Sequence, residues 1–590
     1  MTLALSITEF ENEVLQASEE ELLQLIGKIP ASDKDDIFKE KLIQLHNNKQ
    51  IDIVNLFLKL KQKPSGGTNF FQKRRVFENI LPKLDTEISQ VMDCILYLVK
   101  EAGQDMAAGA IMKPFIDYCS ADQSRPLTGL KVIEDSPEAY AGLLMQVLMA
   151  GSQVDFDYYF SAALRLINSD TPAVSRNAML ALGRIDYPDN ASLTTQAFVA
   201  LETRCNEETD DVTLANLVNA ISGLYEREPS LEPLFVQAID TALLKGNDLS
   251  LHMASELFGF RCDELTESII SVLLKHLQNV NPASRGTLDN IDYGIKALLK
   301  AGKRDQALRF LEQILLNSEG RISISIFDSV CHTILENKDG ILFRIVTRWL
   351  LNGKQPLCKA VSDIVRLPHG ADPILSIDLS EIELADTNQA YFLARKAIGY
   401  LFNDPVSAAS IIISLIESSP PSEMLRTLAK LLFNPLLISY PGKVGDYLNQ
   451  RIASIAPGEA KEALQSAEQA LEGYMAELKD VGAVPEFQPS QRNRDAYSRK
   501  FQQEISEAME QAEKNSVLLS IMPKSILLYG HKSIDYVFNR DGEARRVENP
   551  LKRIGNEVEL PRLSTLDPQG LSYILAVFRA EQLNKNETNY

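Results

Sequence analysis

Apolar residues recur along this chain at spacings of three and four, and short polar or glycine- and proline-containing gaps interrupt them. That period puts the apolar side chains on one face of an α-helix. Residues 1–62 read as short helices: Ser18-Glu19-Glu20-Glu21 is a capping-box pattern ahead of Leu22, Leu23, Leu25 and Ile26. Ser32-Asp33-Lys34-Asp35 reads as a second start, and Ile51 to Leu60 keeps helical spacing. Pro64-Ser65-Gly66-Gly67-Thr68 is a break. Helices resume at Phe70 and run to about Tyr118, and a loop follows at 121–126. Ile295 to Leu308 reads as a helix, a tight turn at Gly302 and another helix. Residues 366–386 interrupt the period, with Ile374 to Leu379 extended or loop-like. Helices return at Ala390, a long charged helix spans Glu459 to Lys479, a break covers 481–490, and a further helix runs from Asp495 to Lys514.

Only the last 75 residues or so change period. Ser525 to Gly530, Ser533 to Phe538 and Glu557 to Pro561 read as strands, with a hairpin turn at Arg540-Asp541-Gly542-Glu543. Leu571 to Leu583 closes the chain as an amphipathic helix. The expectation is a small α+β cap on a helical array, because the end of a stacked array otherwise exposes an apolar face.

The middle of the chain repeats itself. Asp170-Thr171-Pro172-Ala173-Val174-Ser175-Arg176-Asn177-Ala178-Met179-Leu180-Ala181-Leu182-Gly183 is the clearest copy. Ala215 lies 37 residues after Ala178 and Ala254 another 39 after that; Gly183, Gly223 and Gly259 follow them. A period of roughly 35–45 residues is that of stacked helical hairpins. Alanine lets two helices approach, and the glycines are read as ending or tightening the helix where the chain turns back. The first copy resembles the second helix of a HEAT repeat, and the resemblance covers about residues 135–260. The second and third copies lack the family's proline and arginine, so their register rests on alanine, glycine and apolar spacing. An ordinary helical bundle is the alternative. The resemblance implies a mainly α, HEAT-like α-solenoid, and a scaffold or binding surface rather than an active site. The expected segments are 1–62 (N-terminal helices), 70–365 (HEAT-like repeats), 387–480 (further hairpins and the charged helix) and 491–590 (a helix plus the α+β part).

Composition adds limits. At 590 residues the chain exceeds one compact core, but a solenoid has no such ceiling. A net charge of −20 opposes bulk nucleic acid and anionic membranes and favours a basic protein partner. The longest apolar run, Ala408 to Ile416, is too short to span a bilayer. The N-terminus lacks a basic signal-peptide region, and the six cysteines form no C-x-x-C pair, so buried free thiols and a cytoplasmic setting are expected. Trp349 is expected in the core.

Chemistry is sparse. Ser65-Gly66-Gly67-Thr68 lacks the lysine of a phosphate-binding loop, and no G-x-S-x-G elbow occurs. The histidines have no metal-ligand spacing, and adjacent Cys331 and His332 point about 100° apart on a helix. Asp155, Asp157, Asp210 and Asp211 sit at helix starts. No catalytic, cofactor or metal residue is assigned, and no cofactor is expected. Basic residues cluster twice: Lys59, Lys61, Lys63, Lys73, Arg74 and Arg75 around Phe70 and Phe71, and Arg492, Arg494, Arg499, Lys500, Arg545, Arg546, Lys552 and Arg553 toward the C-terminus. The partner-binding candidates are Lys73, Arg74, Arg75, Arg492, Arg494, Arg545, Arg546, Lys552 and Arg553. The first reading is a non-enzymatic scaffold, one subunit of a larger bacterial system, that binds a protein through its repeat surface. The second is direct nucleic-acid binding through the two clusters at 59–75 and 492–553. The third is an enzyme site in the C-terminal part, near Tyr529 and His531.

Overall fold

Helix starts along the chain are written in side chains. Ser18 accepts from the Glu21 backbone and Glu21 returns the bond to the Ser18 N–H at 2.8 Å, the box anticipated from sequence; Ser6 and Glu9 repeat it one helix earlier. The structure, a computed structural model, describes residues 6–30, 37–62, 69–336, 340–367, 372–418, 420–481, 490–515, 532–538, 544–550 and 559–583. The expected start at 32–35 and the breaks at 64–68 and 482–489 lie outside them. The chain divides into two compact units, residues 1–338 and 339–590, and the division falls inside the 70–365 span.

The first unit is a stack of helical hairpins. Its first helices are α1 (Ile7–Gln16), α2 (Glu19–Ile26), α3 (Ile37–Asn47), α4 (Ile53–Phe57), α5 (Asn69–Ile80), α6 (Ile88–Ala102), α7 (Met112–Ser120) and α8 (Ser124–Asp135). There follow α9 (Leu144–Ser152), α10 (Phe156–Leu166), α11 (Pro172–Leu182), α12 (Ala191–Glu207), α13 (Asp211–Arg227) and α14 (Glu232–Lys245). The unit ends with α15 (Asp248–Arg261), α16 (Glu267–Leu277), α17 (Arg285–Lys300), α18 (Arg304–Asn317) and α19 (Asp328–Glu336). Each odd-numbered helix packs on the next odd one, so they form one layer; the even helices lie behind, with α4 on α6, α6 on α8, and α12 through α16 in series. This is a helical-repeat solenoid, in which every hairpin buries its apolar side against its neighbours. The tight turn expected at Gly302 is present, with φ +77° between α17 and α18.

The repeat glycines have a different role from the expected one. Gly183 does cap α11, but Gly223 and Gly259 lie inside α13 and α15 and end nothing. They serve close approach. A Cβ on Gly183 would lie 2.6 Å from the Ala220 backbone, one on Gly223 2.3 Å from the Gly183 carbonyl oxygen, and one on Gly259 2.6 Å from the Asn290 carbonyl oxygen. Ala178, Ala220 and Ala254 are buried beside them. Backbone therefore meets backbone along the odd layer.

Polar pins fix the register of successive repeats. Asp210 caps its own helix α13, whereas Asp211 reaches across to the start of α15. It accepts from the backbone of Asn247 at 2.7 Å, Leu249 at 3.0 Å and Ser250 at 3.2 Å, and from the Ser250 hydroxyl at 2.6 Å. Burial pushes this carboxyl up, but those bonds outweigh it and hold it below the usual range. Asp292 of α17 caps α19 likewise, accepting from the Ser329 and Val330 N–H groups at 2.9 Å each, but there burial outweighs the bonds and pushes the carboxyl up. Behind, Asp240 of α14 binds Lys275 at 2.8 Å and His276 at 2.6 Å on α16.

The second unit begins with α20 (Ile341–Asn352), α21 (Gln355–Arg366), α22 (Thr387–Leu401), α23 (Pro405–Glu417) and α24 (Ser422–Leu431). It continues with α25 (Lys443–Ser454), α26 (Glu459–Val481), α27 (Gln491–Asn515), strands β1 (Lys532–Phe538) and β2 (Ala544–Pro550), and α28 (Pro568–Ala580). Here α20, α22, α24 and α26 follow one another as a layer. The apolar run noted in the sequence is α23, which is buried almost all round. An extended segment, residues 372–379, lies on its far side and bonds to a serine ladder. Ser407 donates to the Pro373 carbonyl at 2.6 Å, Ser410 accepts from the Leu375 N–H at 2.9 Å, and Ser414 accepts from the Ile377 N–H at 3.1 Å. A helix apolar on every side is thus a core helix, with serines spaced to satisfy a strand-like backbone. Among the described residues no helix is long and apolar enough to cross a membrane.

The expected C-terminal α+β cap is corrected. β1 and β2 pair antiparallel, with Asp535 opposite Val547, but α28 packs on α22. A two-stranded hairpin has too little apolar face to build a core alone. Ser525 to Gly530 and the turn at 540–543 lie outside the described residues. Glu559 is not in a strand; its carboxylate accepts from the Gly442 and Lys443 N–H groups at 2.8 Å each and so caps α25.

The close-approach reading predicts that Gly223→Ala lowers stability by about 2 kcal/mol through overpacking. Gly473→Ala, in α26 with open space around it, is expected to raise stability by about 0.5–1 kcal/mol. Urea unfolding of both variants beside the parent chain checks this. Indistinguishable midpoints for Gly223→Ala and the parent would refute it.

Candidate partner-binding face

The odd layer leaves one face open across α9 to α17. A groove of about 520 Å³ crosses it, floored by Gly183 and Gly223 where the helices draw close. Met149 of α9 and Met253 of α15 line it, half-buried. Arg184, just past α11, points its guanidinium at Asn219 Oδ1 (3.4 Å) and Met145 Sδ (3.6 Å), and Asn219 Nδ2 in turn faces Met253 Sδ at 3.8 Å. These are long, weak contacts. At the end of the groove Phe260 is 68% exposed and Tyr293 48%, with ring centroids 6.1 Å apart.

The charges at the rim are largely used up by each other. Arg227 binds Asp186 at 3.1 Å and the Arg184 carbonyl at 3.0 Å; Arg261 pairs with Glu226 and with Glu264. Arg184 makes no ion pair among the described residues. The face therefore offers thioether and aromatic surface plus one guanidinium open to a carboxylate. Flexible, polarizable methionines adapt to the shape of an apolar partner, and exposed aromatics make the strongest anchors.

The sequence-predicted basic residues fare differently. Arg74 is not available to a partner. It is 1% exposed, paired with Glu78 at 2.7 Å, bonded to the Ala107 carbonyl and stacked 5.5 Å from the Phe71 ring centre. A buried guanidinium with these partners holds α5 to the turn before α7. Lys73, one residue earlier, is half-buried, and Arg75 is exposed. A groove of about 610 Å³ beside Lys73 also holds Lys28, Lys59 and Lys61, but Glu19 and Glu20 share it and Lys59 binds Glu19 at 2.5 Å. The first cluster is thus balanced by carboxylates that lie far from it in sequence. Arg492 and Arg494 are exposed in the first turn of α27 and Arg546 is exposed on β2. Arg545 lies on β2, and Lys552 and Arg553 fall outside the described residues. The residues sequence reasoning missed, Met149, Arg184, Met253, Phe260 and Tyr293, come from several repeats, with only Met253 and Phe260 on one helix, α15. The one local signal available was that Arg184 and Phe260 each directly follow a repeat glycine, Gly183 and Gly259.

Other candidate chemistry resolves into structure. All six cysteines are free and buried. Burial pushes the Cys119 and Cys358 thiols up to about 12 and those of Cys205 and Cys262 up to about 11, far from a thiolate nucleophile. Cys331 points inward while His332 is exposed beside Glu336, so the two do not converge. Asp155 caps α10. Trp349 is fully buried, as expected. Tyr529, His369 and His531 lie outside the described residues, and no metal-capable cluster occurs among those that are described.

No protein-family model matches this chain, and no curated protein matches it. Among solved structures it is similar to one titled "Importin13 cytosolic state", at 10% identity, covering 82% of this chain and 76% of that chain with a TM-score of 0.21. So loose a superposition transfers nothing to this chain beyond its own stacked helices.

Arg74→Ala is expected to cost about 3 kcal/mol of stability, because it strands the Glu78 carboxylate in a largely buried site. Arg75→Ala, on the surface, should stay within about 0.5 kcal/mol of the parent. Thermal unfolding of the two variants separates them. A harmless Arg74→Ala would return Arg74 to the surface candidates.

Proposed function

We propose that this chain is a HEAT-type scaffold, not an enzyme, and that it holds a protein partner along the open face of α9 to α17. The observation that carries this reading is the groove of methionines and exposed aromatics crossing several successive repeats. Methionine and aromatic anchors set among arginine and other polar residues are the make-up of a protein interface. The partner brings apolar side chains to Met149, Met253 and Phe260 and a carboxylate to Arg184. Its wider surface is basic, drawn by the chain's net charge of −20. A cytoplasmic role as one subunit of a larger system fits this reading. The nucleic-acid reading loses support at the first cluster, where Arg74 is buried and Lys59 is paired.

Affinity purification from the native cell after nuclease treatment tests the proposal. Three forms are compared: the parent chain, Met253→Glu/Phe260→Ala, and Leu244→Glu on the exposed back of α14. The groove variant is expected to lose its stoichiometric protein partner by about 30-fold, equal to about 2 kcal/mol, while the Leu244 variant keeps it. Equal recovery with all three would reject this face. Loss of every companion on nuclease treatment would instead support nucleic-acid binding.

A further inference from the structure

The face of α22 that carries α28 is built unlike the rest of the second unit. Gly399 lets the last turn of α28 sit on its backbone, since a Cβ there would lie 3.2 Å from the Phe578 Cβ and 3.3 Å from the Arg579 nitrogen. The contact is mostly polar. Lys396 is fully buried between the Phe392 and Tyr400 rings, at 5.2 and 5.9 Å from their centres, and donates to the Arg579 carbonyl at 2.7 Å. Arg579 Nε donates to the Gly399 carbonyl at 2.5 Å, and Arg395 pairs with Glu581. The cation of Lys396 thus faces the carbonyl end of α28, the favourable end of a helix for positive charge.

The apolar part of this contact is thin. Leu571 is the one buried residue of α28; Ile574, Leu575 and Phe578 are half-buried, while Tyr573 is 71% exposed and Val577 40%. Polar satisfaction is poor as well. Of five buried side-chain polar atoms without a hydrogen bond among the described residues, three belong to this strap and its seat: Arg395 Nε, Glu581 Oε2 and Ser439 Oγ. Ser439 lies beside the Arg562 N–H that bonds its carbonyl at 2.9 Å. Each such atom weakens the contact by the cost of its lost hydration. The charges are also unbalanced, because Arg395, Lys396 and Arg579 meet a single carboxylate, Glu581. The seat has unused donors and an excess of positive charge, and its present occupant does not complete it.

We propose that this face of α22 is an exchangeable helix-docking site, held in the free protein by α28 and taken by a partner protein's amphipathic helix that ends in acidic residues. The incoming helix offers its terminal carbonyls to Lys396, as α28 does, and brings the second carboxylate that Arg395 lacks. Gly399 selects for close backbone approach. Release of α28 uncovers Leu571 and Phe578, so binding here also changes the surface of the chain's own C-terminal segment. This inference stands apart from the groove of the first unit.

Hydrogen–deuterium exchange on the full chain tests it. The probe is a synthetic peptide of residues 563–583 carrying Arg579→Glu and Gln582→Glu, whose fragments differ in mass from the chain's own. Rising peptide is expected to speed exchange in the chain's residues 568–580 by about tenfold while α22 stays protected. A second peptide with Glu581→Lys should do nothing. Unchanged protection of α28 at saturating solubility of the acidic peptide, or equal release by both peptides, overturns the proposal. Gly399→Val in the full chain should release α28 by about tenfold and abolish the peptide effect; a protected α28 in that variant also overturns it. If Gly399→Val does not fold, the peptide titration of the unaltered chain decides alone.

Discussion

The first unit depends on backbone-to-backbone approach between neighbouring odd-layer helices. Gly183 against Gly223 and Ala220, and Gly259 against Asn290, leave no room for a side chain at the contact. Close approach brings helix backbones into dispersion contact and sets the spacing of the layer. The face on the other side of that layer follows from it. Where helices draw together, side chains a few residues further along splay outward and leave a furrow, and Met149, Met253 and Phe260 line that furrow.

Glycines alone would let the helices slide. Charged pins stop this. Asp211 caps the helix two positions onward, Asp292 does so two repeats later, and Asp240 ties Lys275 and His276 on the even side. Each is a carboxylate whose partners lie about one repeat away, so each sets the register of one hairpin on the next. A carboxylate at a neighbouring helix start also meets the positive end of that helix. Much of the chain's acidic content that looks like solvated surface therefore serves the stacking, and the groove rim repeats the theme with Arg227 on Asp186 and Arg261 on Glu226.

The second unit solves a different problem. Its helices α22 and α23 are each covered by a piece of chain that is not part of the stack: the extended residues 372–379 on α23 and the strap from Glu559 to Glu581 on α22. The first cover is bonded through Ser407, Ser410 and Ser414, and none of its buried side-chain polar atoms lacks a partner among the described residues. In the second, three do. That contrast, between a finished contact and an unfinished one on adjacent helices, separates a structural cover from an exchangeable one.

The sequence by itself determined the helices, their caps and the repeat. Apolar period, the Ser18–Glu21 box, the Gly302 turn and the alanine spacing are local or near-periodic, and local backbone preference decides them. It also marked residues 374–379 as extended or loop-like and Trp349 as core. It did not reveal that Gly223 and Gly259 sit mid-helix, because a glycine at a turn and a glycine at a crossing look alike along a chain. It placed Arg74 on a basic surface: Glu78, four residues on along the same helix, was a local partner, but the Ala107 carbonyl that completes its burial comes near only on folding. It assigned the last helix to a cap, while Lys396 and Gly399, some 180 residues earlier, hold it. Tertiary structure alone decided the groove, the pins and the α22 seat. Each is assembled from side chains one repeat or more apart, and their meeting depends on the crossing distance of helices that no local pattern records.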